Sequence, residues 1–235
     1  MERLDKILAN TGYGTRKEVK KLIKNGAVTV DGEVAKNAEQ KVDPYNSKIA
    51  VYDEPIEYKE FIYLMLNKPK DCVSATFDKR YMTVLDLVPF EYEHYDLFPI
   101  GRLDIDTEGL VILTNNGKLA HEILSPKNHI KKVYYAETER EINDEDIKAF
   151  ESGMDLGDFT TMPAKLEKHG EGAIVTICEG KFHQVKRMFE KTGNRVSYLK
   201  RIKMGGVCLD ENLPLGQMRE MTEEEIQNIG GNEVL

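Results

Sequence analysis

The sequence is poor in cysteine, with three residues among 235, at Cys72, Cys178 and Cys208, far apart and without CxxC spacing. That disfavours a disulfide framework and a cysteine-rich zinc site, and it fits a reducing cytoplasm. The five histidines are scattered and form no HExxH motif, so no metal centre is expected. No apolar run approaches the ~18 residues that a bilayer span needs. The first residues, MERLDKILANTG, carry charge where a secretory signal has its apolar centre. Internal repeats and low-complexity tracts are absent as well. What is present is a folded, soluble composition, 40% apolar and 31% charged, long enough for one or two domains. A cytoplasmic protein without membrane association is expected.

The formal net charge of −8 argues at first against a nucleic-acid partner. Its distribution argues otherwise. Residues 15–26 carry five bases and one acid, and residues 180–203 carry eight bases and one acid. Acidic stretches set them off: nine acids against two bases in 137–158, and seven against one in 210–235. Local field, not net charge, governs association with a polyanion. The plainer reading of both basic stretches is two solvated helix faces.

The first ~45 residues form one pattern. Leu4, Ile7 and Leu8 make a helical stripe, broken by Gly12 and Gly14. Thr15 and Glu18 then spell a capping box for a helix that runs through Val19, Leu22 and Ile23 to Asn25-Gly26. The other face of that helix holds Arg16, Lys17, Lys20, Lys21 and Lys24. Val28, Val30, Asp31-Gly32 and Val34 read as a hairpin. Pro44 to Glu60 is polar and reads as a link between two domains, with a boundary placed between residues 58 and 59. Beyond Phe61, IYLMLNKP, GLVILT, VYYAE and AIVTIC read as strands, and LAHEIL, DEDIKAFESG and VKRMFEKTG as helices. Thr222 and Glu225 open a last short helix. Strands and helices without strict alternation imply an α+β fold.

Two clusters could carry chemistry. In GRLDIDTEGLVILTNNG, Asp104, Asp106 and Glu108 point the same way if the stretch is extended. A calcium loop is disfavoured because Asn115 stands where a bidentate Glu is needed. A turn with solvated acids is the bland alternative. Against it, Arg102 and Asp104 lie between Pro99 and an apolar strand, where a half-buried carboxylate needs a cationic partner. In EGKFHQVKRMFEKTGNRV, Lys186 and Arg187 sit on a helix-like run with Val185, Met188 and Phe189 on its other face. An amphipathic helix with a charged outer face explains that run equally well.

GRLDIDTEGLVILTNNG resembles the signature of the RsuA branch of RNA pseudouridine synthases. EGKFHQVKRMFEKTGNRVSYLKRIKMGG resembles that branch's third motif, YLMLNKPKDCVSAT its first, and KKVYYAE its tyrosine motif. RLDKIL and TRKEVKKLIKNGAVTVDG look like an S4 RNA-binding module, which precedes the catalytic domain in that branch. Five motifs in the family's order span nearly the whole chain. HQVKRMF and LPLGQMREMTEEEI look most like members acting on small-subunit (16S) rRNA. One departure is Asp71, where the family usually has Gly after Lys-Pro-x; if that site needs positive φ, Asp is tolerated but less favoured.

The resemblance implies an N-terminal S4 (αL-type) domain over residues 1–58 and a pseudouridine synthase domain over 59–235. The second would be a mixed, mainly antiparallel sheet with flanking helices. The implied reaction breaks the uracil N1–C1′ bond and joins C5 to C1′. It is redox-neutral, so no cofactor and no metal are implied. Asp104 matches the family's essential aspartate. It would attack C1′ or take the C2′ proton, two routes the sequence leaves open. Lys186 is the first choice for the cation beside it and Arg187 the second. Tyr134 matches the tyrosine that stacks on the target base. Arg102 would fill the space left by the everted base. Arg3, Arg16, Lys17, Lys20, Lys21 and Lys24 would clamp RNA outside the active site. The implied partner is 16S rRNA or a small-subunit assembly intermediate, met by a monomer. A 23S rRNA substrate, a non-catalytic assembly factor and a glycosidase-like hydrolase using Asp104 with Glu108 remain open alternatives.

Overall fold

In the computed structural model, which describes residues 1–231, the chain forms two units. One comprises Met1–Ile62 with Pro89–Asp96, the other Tyr63–Val88 with Leu97 onward. Thr15 and Glu18 make the capping box expected of them, and the helix runs over Arg16–Lys24. Val19 and Ile23 face inward against the preceding helix, Leu4–Asn10, whose Leu4, Ile7 and Leu8 are fully buried. Arg16, Lys17, Lys20, Lys21 and Lys24 are exposed on the other side. Strands Val28–Val30 and Glu33–Val34 pair through Asp31 (φ 53°) and Gly32 (φ 86°), the left-handed pair that a two-residue hairpin requires.

The stretch read as a linker is structured. Ile49–Val51 pairs with Val28–Val30, and Glu54–Pro55 adds the next strand, so residues 44–60 complete the first unit's four-stranded sheet. Ile49 and Val51 join its core. The turn between the two strands uses Tyr52 and Asp53 at positive φ, without the glycine that would announce it. Tyr58 is also buried in this core. The first unit extends past residue 58 to Ile62 and takes in 89–96, where the His94 ring lies close to Gly12.

The second unit is built on a mixed sheet. Its order is Lys165–His169, Gly172–Ile177, Lys132–Thr138, Val196–Met204, Glu108–Thr114, Tyr63–Lys68 and Met218–Glu220. All of these pairs are antiparallel except Glu108–Thr114 with Val196–Met204. The helices Gly117–Leu124, Asp144–Ser152 and Gln184–Lys191 flank it. On one side Ala120 and Ile123 pack with Met65, Ile100, Leu110 and Ile112. Phe150 and Phe189 join the other two helices with ring centroids 4.9 Å apart. Positions 232–235 of the expected second domain lie outside the described residues. Among those described, no helix is long and apolar enough to cross a membrane.

The basic run 180–203 is not one helix face. Its second half is the strand Val196–Met204, and Arg201 and Lys203 are buried there. This strand also shapes the unit's centre. Along one edge, Glu108–Thr114 meets Val196–Met204 only at Glu108 and Gly109, and meets Phe98–Ile100 only from Ile112 onward. The sheet splits between them. Arg201 bridges the split, donating from Nε to the Leu110 carbonyl at 2.8 Å.

Gly109 sits at the split with φ +103°, and a Cβ there would run into the Arg201 carbonyl. Left-handed strain and a backbone clash therefore coincide at one residue. Gly109→Ala is expected to lower unfolding free energy by more than ~2 kcal/mol in urea titration. A variant as stable as wild type would show that the strand pair can relax there.

Candidate active site

The segment between Ile100 and Glu108 leaves the sheet at the split. It is a loop and not an extended stretch, and the Thr107 N–H closes a turn on the Asp104 carbonyl at 3.1 Å. The three carboxylates consequently diverge. Asp104 and Asp106 turn to a common partner. Glu108, already in the strand, accepts a 2.7 Å bond from the Tyr198 hydroxyl. Burial and the Glu108 charge together raise the Tyr198 pKa, so that pair stays a neutral phenol on a carboxylate.

The common partner is Lys186. Its Nζ donates to Asp104 Oδ2 at 3.1 Å and to Asp106 Oδ1 at 2.5 Å. Burial acts to raise the Asp106 pKa, but the Lys186 bond and charge outweigh it and hold the group below the ordinary value. The lysine side chain is 19% exposed and that of Asp104 26%. This is a half-buried ion pair, where screening by water is reduced. His183 adds a third group, with Nε2 at 3.6 Å from Asp104 Oδ1.

A buried lysine fixes the loop from below. Lys68 is fully buried at the end of strand Tyr63–Lys68. Its Nζ donates to the carbonyls of Pro69 (2.9 Å), Asp104 (3.1 Å), Ile105 (3.4 Å) and Thr107 (2.8 Å). Burial pushes its pKa down to about 8, which still leaves it protonated at neutral pH. Sequence reasoning gave Lys68 no role, because a lysine between Asn67 and Pro69 signals nothing about carbonyls supplied 36 residues later. The Asp71 N–H adds a 2.9 Å bond to the Ile105 carbonyl.

The helix carrying Lys186, Gln184–Lys191, begins after His183, which adopts φ 50° and makes no side-chain cap. Gln184 is 3% exposed and braces the entry turn. Its Oε1 accepts from the Lys181 N–H at 3.0 Å, and its Nε2 donates to Glu179 Oε1 at 2.8 Å.

Asp104, Arg102, Tyr134, His183, Lys186, Leu199 and Arg201 line one cleft of 140 Å3. Tyr134 is buried on its wall, opposite Arg201 in strand register. Arg102 is exposed at the same cleft. Lys132 also lines it, and burial, with the Arg201 charge, lowers its pKa. Four of the expected site residues thus come together: Asp104, Lys186, Tyr134 and Arg102. Arg187 does not join them. It points away, donating to the Leu156 carbonyl at 2.8 Å and pairing with Asp158. The i and i+1 positions of a helix cannot serve one site, and Lys186 takes the inner place.

In the first unit, Arg3 is already engaged, with Nη2 2.8 Å from buried Asp5 and 3.0 Å from Glu39. Lys20 lies 3.4 Å from Glu39. Arg16, Lys17, Lys21 and Lys24 lie exposed on the same helix.

Comparison with known proteins decides the family. The sequence profile of the RNA pseudouridylate synthase family matches residues 62–191, and that of the S4 domain matches 2–44. An uncharacterized RNA pseudouridine synthase of Bacillus subtilis is 51% identical over 95% of this chain and 96% of its own. This chain belongs to the RNA pseudouridine synthases. It is therefore an isomerase acting on RNA. Ribosomal small subunit pseudouridine synthase A of Pseudomonas aeruginosa is 40% identical, over 97% of this chain and all of its own. The Escherichia coli protein of the same name is 39% identical over 97% of this chain and 99% of its own. A crystal structure described as pseudouridylate synthase superposes with a TM-score of 0.69 at 37% identity, covering 97% of this chain and 100% of the other. In this pseudouridine synthase Asp71 does adopt φ 60°, so the position usually held by Gly keeps its left-handed backbone with an aspartate.

Replacing Lys68 by Met leaves several buried carbonyls of the loop without donors, each such loss costing about 1–3 kcal/mol. Lys68→Met is expected to lower stability by at least ~2 kcal/mol and to speed amide exchange at Thr107. Unchanged exchange at Thr107 would mean the loop holds its shape without the lysine.

Proposed function

We propose that this enzyme isomerises a specific uridine of 16S (small-subunit) rRNA, free or within a small-subunit assembly intermediate, and that Asp104 performs the chemistry on an everted nucleotide. The observation that carries this reading is Lys186 Nζ held 3.1 Å from Asp104 Oδ2 at the wall of a cleft that also holds Tyr134. The names of the Pseudomonas and Escherichia relatives, matched end to end, support the small-subunit target. A monomer is the simplest form, since one chain carries every residue invoked, and a cytoplasmic location follows from an rRNA substrate.

The target base is unreachable inside stacked RNA, so it must be everted, at a few kcal/mol. Arg102, exposed at the cleft, suits the vacated space: a planar guanidinium stacks and bonds phosphate together. Tyr134 then faces the base. Asp104, held by Lys186, attacks C1′ or removes the C2′ proton as the N1–C1′ bond breaks. The base turns, C5 bonds to C1′ as Asp104 leaves C1′ or returns the proton to C2′, and the C5 proton leaves while N1 gains one. Atoms and electrons balance without a cofactor. The exposed bases of helix Arg16–Lys24 act as a phosphate clamp.

Two measurements test this. Asp104→Asn should abolish pseudouridine formation, mapped in rRNA from a strain lacking the gene, while RNA affinity changes less than threefold. An active Asn variant would falsify the role of Asp104, and a modified position in 23S rRNA would overturn the target. Reversing the charge at Lys20 and Lys21 together should weaken RNA binding and flatten the slope of affinity against salt by about two phosphate contacts at most. An unaltered slope would remove that helix from the interface.

A further inference from the structure

Phe182 is 73% exposed beside the cleft. A single exposed apolar side chain is ordinary on a protein surface, and what sets this one apart is how its ring is held. Its mount is unusually well defined. The ring stacks on the imidazole of His183, with centroids 3.8 Å apart and planes 18° from parallel. His183 in turn reaches to 3.6 Å from Asp104 Oδ1. Beneath them Gln184 ties the turn to Glu179, and Glu179 also accepts from the Met162 N–H at 2.8 Å. The pair is therefore a pre-set flat surface that begins at the cleft and ends in solvent. Lys181, which lines the cleft, supplies positive charge on the same segment.

We infer that Phe182, mounted on His183, is a stacking platform for the nucleobase next to the target uridine in the substrate RNA. This rests on the reading of the cleft given above. Everting one nucleotide strips a neighbour of its stacking partner on one face. With Arg102 in the vacated space on one side, an aromatic ring held at the cleft mouth replaces the partner on the other, and Lys181 follows the phosphates. Stacking on an aromatic face tolerates any base, so the platform fixes the substrate in place without reading its sequence. Phe182 is thus a positioning residue: it touches RNA but none of the reacting atoms.

The test uses the full-length enzyme and total rRNA from a strain lacking the gene, so that wild type itself reports which rRNA is modified. Phe182→Ala should raise KM for that RNA roughly tenfold, with the loss lying in KM and not in the saturated single-turnover rate. Phe182→Trp should restore wild-type KM, and Phe182→Leu, apolar but without a π face, should not. Melting temperatures of all three should stay within a few degrees of wild type, because the side chain is not in a core. Rescue by Leu as good as by Trp, or a KM unchanged in the Ala variant, would overturn the platform. Modification of 23S instead of 16S rRNA by wild type would overturn the target reading and leave this comparison standing.

Discussion

One ammonium group shared by two aspartates holds the site together. Lys186 and Asp104 lie 82 residues apart in sequence, and the 3.1 Å bond between them forms only if three independent pieces are in place. The loop 101–107 must keep its turn, which Lys68 secures through its carbonyl bonds. The helix carrying Lys186 must start at the right residue, which the left-handed His183 and the buried Gln184 arrange. The two supporting strands must also diverge enough to leave a cleft. An isolated half-buried carboxylate would be costly, and the ammonium group beside it supplies the missing partner.

The divergence comes from the sheet. Strand Glu108–Thr114 changes neighbours along one edge, parallel to Val196–Met204 at its start and antiparallel to Phe98–Ile100 at its end. A continuous ladder there would have no room for a base. Arg201 satisfies the Leu110 carbonyl that the ladder leaves over, and Gly109 lets the two backbones close to contact. The cleft is therefore a consequence of pairing geometry, and loop residues are placed on a rigid frame, as precise chemistry requires.

Local signals in the sequence were informative where the physics is local. The capping boxes at Thr15/Glu18 and Thr222/Glu225 both form, and the Asp31-Gly32 hairpin is as expected. The motif likeness to pseudouridine synthases pointed to the right fold and to residues that do meet around one cleft. The failures share a different cause. The hairpin through Tyr52 and Asp53 uses left-handed residues that are not glycine, so 44–60 looked like a linker. Lys200, Arg201 and Lys203 read as a solvated helix face, yet they lie on a central strand, two of them buried. Lys68 is a charged residue in a core position whose carbonyl partners come from a remote loop. In each case tertiary contacts, not the residue's own preferences, set the outcome.

The most direct probe of the account is the lysine itself. Lys186→Met removes the cation and keeps the length of the side chain, so Asp104 loses its partner while the loop keeps Lys68. Single-turnover pseudouridine formation by this variant, measured at saturating rRNA, should fall by at least a hundredfold, with Lys186→Arg recovering part of the loss. Turnover at the wild-type rate in Lys186→Met would contradict the claim that the ion pair makes Asp104 competent.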